Sequence, residues 1–167
     1  MGDRYRIRPA TETDLEVMAR IERECFSDPW SKQTLRSMIR RSGALVATRG
    51  PTLVGYLFEH SAGEEGEILN VAVDRAHRRC GVGRALIGSA LESMRGRGVR
   101  SAFLEVRQSN RGAQAFYHGL GFRQVGKRPR YYRNPPEDAL IFAIDLTPEL
   151  DSRGNGQSGV SLVDKRT

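Results

Sequence analysis

Apolar and polar residues change period along the chain in a way that marks out its elements. Residues 5–8 alternate outward and inward side chains and read as a first strand. Thr13-Asp14-Leu15-Glu16 has the form of a capping box, in which Thr13 serves the third amide of a helix and Glu16 reaches back. Leu15, Met18, Ile21 or Glu22, and Cys25 then recur at helical spacing, so this helix is predicted to run to about Phe26. Ser-Asp-Pro-Trp at 27–30 breaks it, and Ser31 caps a second, shorter helix through Leu35, Met38 and Ile39. Residues 44–48 and 53–58, joined by Gly50-Pro51, read as an antiparallel hairpin, followed by a polar loop at 61–66. The near-continuous apolar run at 68–73 predicts a strand buried on both faces. Leu86, Ile87, Ala90, Leu91 and Met94 form a helical stripe within 83–96 that ends in glycines. Residues 103–106 read as another buried strand, 110–120 as another helix, and 125–130 with 139–146 as a closing pair of strands. The order β-α-α-β-β-β-α-β-α-β-β predicts an α/β fold, a mixed sheet with helices on both faces.

A chain of 167 residues accommodates one domain with one sizeable core, placed here at 1–147. From 148 the sequence turns to Gly, Ser, Asn and charge without periodicity, which predicts a disordered tail over 148–167. No apolar run approaches the ~20 residues of a membrane span, and the charged start lacks the apolar core of a secretory signal. No membrane partner and a cytoplasmic location are expected. Cys25 and Cys80 stand far apart and outside any C-x-x-C pair, so free, buried or half-buried thiols are expected. His60, His77 and His118 show no metal-ligand spacing, and no metal is expected. The net charge of +7 invites a nucleic-acid partner, but the arginines are spread along the chain. Their tightest cluster, Arg75, Arg78, Arg79 and Arg84, surrounds a glycine turn. A small polyphosphate ligand explains that cluster at least as well as a duplex does.

In this turn, Arg78-Arg79-Cys80-Gly81-Val82-Gly83-Arg84, a strand runs into a basic loop and then straight into a helix. Such a junction aims unpaired amides and the positive helix end at one spot. Gly81 and Gly83 let a phosphate approach the backbone, Val82 packs behind, and Arg78, Arg79 and Arg84 offer charge to the outer phosphates. The turn is not a Walker loop, because G-x-x-x-x-G-K-S/T is absent. Nor is it G-x-G-x-x-G, because Leu86 stands at the third glycine.

The wider sequence resembles the GCN5-related N-acetyltransferases, whose motif R/Q-x-x-G-x-G/A is matched by Arg78, Gly81 and Gly83. Their second motif, N-x-x-A-x-x-F/L-Y-x-x-x-G-F, is matched by Asn110, Ala113, Phe116, Tyr117, Gly121 and Phe122. The resemblance extends from about Tyr5 to Leu146 and implies the acyl-coenzyme A N-acyltransferase (GNAT) fold. Within that group the chain is similar to the ribosomal-protein alanine N-acetyltransferases, through CFSDPWS at 25–31, LEVRQSN at 104–110 and YYRNPPEDA at 131–139. This implies direct acetyl transfer from acetyl-coenzyme A to a protein N-terminal α-amino group, that of an alanine of a small-subunit ribosomal protein by analogy. Cys80 departs from the Gln, Arg or Gly usual at its place, and Gly119 falls inside a predicted helix.

The family positions assign roles, each beside a plainer reading. Glu105, in a strand otherwise apolar, is the candidate base, acting directly or through water; an apolar wall would raise its pKa. Alternatively it pairs at a sheet edge with Arg107 or another arginine. Tyr117 is the candidate acid for the departing thiolate, or a core aromatic beside Phe116. Asn110 caps its helix, contacts the cofactor, or does both. The backbone of Val71, Ala72 and Val73 is expected to meet the pantetheine arm. Cys80 sits with the phosphates, away from the thioester. Phe26, Pro29, Trp30, Tyr131 and Tyr132 are expected to wall the peptide cleft, with hinge or surface packing as the alternative. Glu137 and Asp138 offset a basic peptide, or merely begin the last strand. Two further functions stay open: acetylation of a small amine or a lysine, and a non-catalytic module binding nucleic acid or the ribosome, marked by steep salt dependence.

Overall fold

Strand β3 (Thr52–Ala62) is the spine of the sheet, because residues 53–59 are buried without a break. A computed structural model describes residues 5–147 of the chain. Its other strands are β1 (Arg6–Pro9), β2 (Gly43–Arg49), β4 (Glu65–Val73), β5 (Ser101–Arg107), β6 (Arg123–Arg133) and β7 (Pro136–Asp145). The helices are α1 (Leu15–Cys25), α2 (Lys32–Arg41), α3 (Val82–Gly96) and α4 (Arg111–Gly119). One sheet holds all seven strands in the order β1-β2-β3-β4-β5-β7-β6. The predicted sequence of elements is the observed one, and the sheet is mixed, with β4 and β5 its parallel pair. The tail predicted at 148–167 lies outside the described residues.

Two apolar layers follow from the two faces of β3. On one face Leu86, Ile87, Ala90 and Met94 of α3 pack on Val54, Leu57, Ile68 and Leu104. On the other, Leu15, Met18 and Ile21 of α1 and Leu35 of α2 cover Val46, Tyr56 and Phe58. Each large side chain so buried removes enough apolar surface to contribute about 1.5–3 kcal/mol before entropy is counted. At Gly55 a Cβ would stand 2.9 Å from the Ala72 carbonyl oxygen and 3.1 Å from Val82, so glycine lets the first turn of α3 seat on the sheet.

Burial on both faces therefore belongs to β3, not to the strand at 68–73 for which it is predicted. Strand β5 alternates between buried and half-buried residues, and Leu69, Val71 and Val73 of β4 are only half-buried. The cause is a split in the sheet. β4 and β5 pair from Glu65↔Ser101 to Glu67↔Phe103 and then part, although β4 continues to Val73 and β5 to Arg107. Leu69 adds to the divergence: Ile68 faces Glu59 and Asn70 faces Phe58 across β3, leaving Leu69 as a bulge. The polar loop expected at 61–66 is mostly strand, because β3 and β4 pair to Ala62↔Glu65.

The first helical segment is capped two residues earlier than predicted. Thr11, not Thr13, begins a 3-10 turn at Glu12–Asp14 that leads into α1, and the Asp14 carboxylate accepts from the Thr11 amide at 2.9 Å. Arg8 selects this register, since its guanidinium grips both Asp14 oxygens at 2.8 Å. Glu16, the expected partner of Thr13, instead pairs with Lys32. The Arg8 hydrogen bond comes first, and the Thr11 amide adds to it, in holding the Asp14 carboxyl below its ordinary range. A depressed carboxyl contributes stability above its unfolded pKa, about 3.9, and loses it as pH falls through the folded value. Asp14→Asn is expected to cost about 1–3 kcal/mol in denaturant titrations at pH 7, with the difference from wild type shrinking below about pH 4.

Candidate active site

Where β4 and β5 part, a cleft of about 1050 Å³ opens, lined by both strands, the end of α1, α4 and the β6–β7 hairpin. It brings together Glu105, Tyr117, Asn110, Val71, Phe26, Trp30, Tyr131 and Tyr132. The basic turn and Ala72 do not line it. Ala72 is buried among the α1 and α2 contacts. The Val73 carbonyl, expected to face the pantetheine arm, already accepts from Cys25 Sγ at 3.5 Å and Arg78 Nε at 3.3 Å. Beyond Glu67 the side of β4 that faces β5 is left without a strand partner, so the groups open to a ligand there belong to residues 68–73.

The turn itself has the form expected of an anion cradle. Arg79 (φ 60°) and Gly81 (φ 86°) take left-handed conformations, and Gly81 caps α3 without a side chain. The first helical bond runs from the Ala85 amide to the Gly81 carbonyl, so the amides of residues 82–84 have no acceptor within α3. Such a row of free donors at a helix N-terminus suits a pyrophosphate. Val82 is buried behind the turn and Arg79 and Arg84 are exposed. Arg78 is less free than predicted, because its Nη2 also donates to Cys25 Sγ at 3.3 Å. Cys80, expected to be at least half-buried, is exposed; both cysteines are free thiols. At Gly83 a Cβ would lie 3.1 Å from the Phe116 ring. Gly83→Val is expected to raise the KM for acetyl-coenzyme A at least tenfold with little change in kcat, measured by thiol release.

The Glu105 side chain is only 13% exposed and has a charged partner. Its carboxylate lies 3.0 Å from Arg128 Nε, while Arg107 is engaged elsewhere. Arg107 donates to the Asn134 and Pro135 carbonyls at 3.1 Å each and stacks 4.1 Å over the Tyr132 ring. The pairing alternative thus holds, with Arg128 as the partner. The Arg128 side chain is 59% exposed, so the pair is a weak tether and not a lock. Burial first, and then the Glu105 carboxylate as acceptor, push the Tyr131 phenol above its ordinary value. Tyr131 and Tyr132 are not loop residues as expected: β6 runs on to Arg133. A bulge between Arg128 and Tyr132 contains Arg130 at φ 53°. Asp138 pins that bulge through the Arg130 amide at 2.8 Å and Lys127 at 2.9 Å, and Glu137 holds the Ser109 amide. These two acids are thus committed within the protein.

Tyr117 is a core aromatic beside Phe116, as its plainer reading has it, and it also lines the cleft. Its ring packs on Phe122 and Phe116, with centroids 5.9 and 5.2 Å away. Burial, and to a lesser degree Tyr132, push its phenol well above the ordinary tyrosine value. Asn110 caps α4, accepting from the Ala113 amide at 3.0 Å. Gly119 is the last helical residue, where its cost is small. Trp30 packs on Phe58 at 5.9 Å and Phe26 ends α1, so both form one wall. Pro29, expected with them, is exposed and does not line the cleft.

Sequence reasoning missed two carboxylates. Glu67 shares the cleft with Glu105, and burial followed by Glu105's charge raises its carboxyl pKa. Glu22 is fully buried and accepts from the Trp30 amide (2.8 Å), the Asn70 side chain (3.1 Å) and the Tyr56 hydroxyl. Its place on the apolar stripe of α1 was the available signal. Among the described residues no cluster of His, Cys, Asp or Glu could hold a metal ion, and no helix is long and apolar enough to cross a membrane.

A mixed sheet split at its parallel pair, with a basic turn beside the split and a glutamate and a tyrosine within it, defines an acyl-coenzyme A N-acyltransferase fold. The sequence model of the acetyltransferase (GNAT) family matches residues 15–122, and the chain belongs to that family. It is similar to the ribosomal protein bS18–alanine N-acetyltransferase of Escherichia coli (strain K12), with 33% identity over 138 residues, 81% of this chain and 93% of the relative. The crystal structure of the ribosomal-protein-S18-alanine N-acetyltransferase from Escherichia coli superposes with a TM-score of 0.80 at 31% identity, covering 89% of this chain and 98% of that one. Ard1 from Thermoplasma volcanium also gives 0.80, at 28% identity over 86% and 99% of the two chains.

Proposed function

We propose that this protein transfers the acetyl group of acetyl-coenzyme A directly to the N-terminal α-amino group of a protein. Its substrate in this reading is the alanine that begins a small-subunit ribosomal protein of the bS18 type. The observation that carries the reading is the cleft at the strand split, where Glu105 of β5 and Tyr117 of α4 both open beneath an aromatic wall. The curated relatives act on the same class of substrate by name. The working unit is residues 1–147, and a cytoplasmic setting goes with a ribosomal-protein substrate.

Bound acetyl-coenzyme A supplies an activated acetyl group and a sulfur leaving group. The amides of residues 82–84 bind its phosphates, with Arg79 and Arg84 adding charge. Phe26, Trp30, Tyr131 and Tyr132 orient the peptide. Glu105 takes a proton from the α-ammonium group, directly or through one water. An α-amine titrates near ~7.7–8.0, so this base need not be strong, and a neighbouring Arg128 is tolerable. The Tyr117 phenol, held protonated far past neutrality by its burial, gives its proton to the departing sulfur. No side chain is acylated, so both substrates must be bound together.

The pH profile follows from these two titrations. Turnover of a fixed peptide is expected to rise as the α-ammonium deprotonates, to level near pH ~8, and to show no fall at the ordinary tyrosine value of about 10. A steady-state profile between pH 6 and 10.5 checks this; a decline centred near 10 would exclude Tyr117 as the acid. Incubation with acetyl-coenzyme A and peptides differing in the first residue, read by mass spectrometry, tests the substrate reading.

A further inference from the structure

The buried carboxylate of Glu22 has a consequence for how the substrate's amine is held. Three donors converge on it: the Trp30 amide, the Tyr56 hydroxyl and the Asn70 side-chain nitrogen. A carboxylate offers lone pairs and no proton, so the Asn70 amide must present its nitrogen to it. The orientation of that amide is thereby fixed by chemistry. Its carbonyl oxygen, Oδ1, faces away from Glu22 and is without a side-chain donor among the described residues.

Register places this oxygen at the reacting end of the cleft. The last parallel pair is Glu67↔Phe103, and two residues further along β5 stands Glu105. On β4 the bulge at Leu69 adds one residue, which brings Asn70 level with Glu105 across the split. Both point to the same side of the sheet. Leu104 and Val106 belong to the α3 layer, so Glu105 faces the α1 side; Asn70 bonds Glu22 of α1 and so faces that side as well. Asn70 is half-buried and lines the cleft with Glu105, Tyr117 and Trp30.

We propose that Asn70 Oδ1 accepts a hydrogen bond from the substrate's α-amino group, and that Glu22 is the positioning residue that fixes both Asn70 and the Trp30 segment of the peptide wall. The amine then has two acceptors on opposite sides of the split, Glu105 to remove a proton and Asn70 to keep the nitrogen aimed. A lone base would let the N-terminus pivot. Glu22 does not touch substrate; it acts because one carboxylate ties the amine acceptor to the segment that receives the first side chain. This inference rests on the N-terminal acetyltransferase reading.

The test compares two ligands on three proteins. An alanine-initiated peptide with the N-terminal sequence of bS18, and the same peptide lacking only its α-amino group, are titrated in the presence of coenzyme A. Wild type, Asn70→Ala and Glu22→Gln are each measured. Asn70→Ala is expected to weaken the amine-bearing peptide roughly tenfold to a hundredfold and to leave the amine-free peptide within about twofold. Glu22→Gln, which keeps the shape but turns a donor toward the Trp30 amide or Asn70, is expected to weaken both peptides, the amine-bearing one more. The KM for acetyl-coenzyme A should be unchanged in both variants, and circular dichroism should report the wild-type fold. Equal weakening of the two peptides by Asn70→Ala, no weakening of either, or a raised KM for acetyl-coenzyme A alone would overturn the proposal. Failure of the wild type to acetylate the amine-bearing peptide would instead overturn the reading beneath it.

Discussion

Glutamine in place of Glu105 is expected to lower kcat for an alanine-initiated peptide by about 10²–10³-fold while leaving the KM for acetyl-coenzyme A unchanged. General-base assistance is commonly worth 10²–10⁴-fold, and the α-amine's own modest basicity places this case toward the lower end. The amide retains the size of the carboxylate, so Arg128 and Tyr131 keep their places even as the ion pair is lost. Raising the pH should recover part of the lost rate, because more of the amine then arrives neutral. Rates for wild type and variant at pH 7 and pH 9 check this. A variant within threefold of wild type at both would remove Glu105 from the chemistry.

Tyr117→Phe is expected to have the second largest effect, a fall in kcat of about 10²-fold with the KM for acetyl-coenzyme A nearly constant. The ring's packing on Phe116 and Phe122 survives the substitution, since only the hydroxyl is removed. Thermal denaturation should therefore barely move, which separates the loss of a proton donor from the loss of a core residue. A solvent-viscosity series adds a second check. If chemistry limits the variant, its rate should not respond to viscosity.

The features legible in the sequence were those carried by neighbours along the chain. The strand–turn–helix at Arg78 to Arg84 was read from its glycines and arginines, and the Asn110 cap from its place before α4. Contacts between distant segments were not legible. Nothing local to Glu105 indicates that Arg128 folds back onto it, because that contact depends on β7 pairing between β5 and β6. Glu22 read as one choice in an apolar stripe, yet its partners Tyr56 and Asn70 come from two later strands. The apolar run at 68–73 implied burial on both faces and that at 103–106 a buried strand, and the split of the sheet exposes part of each to the cleft. The same run of hydrophobic residues serves a core strand and a strand that borders a ligand. Only the pairing register distinguishes them.

The proposed activity of this cleft is acetylation of a protein N-terminus from acetyl-coenzyme A. Its most direct test uses the purified chain, acetyl-coenzyme A and an alanine-initiated bS18 peptide that also contains an internal lysine, with products located by fragmentation mass spectrometry. One acetyl group on the α-nitrogen, with the lysine unmodified and one thiol released per acetyl transferred, is the expected result. Acetyl found on the lysine, or thiol released without any acetylated peptide, would contradict it.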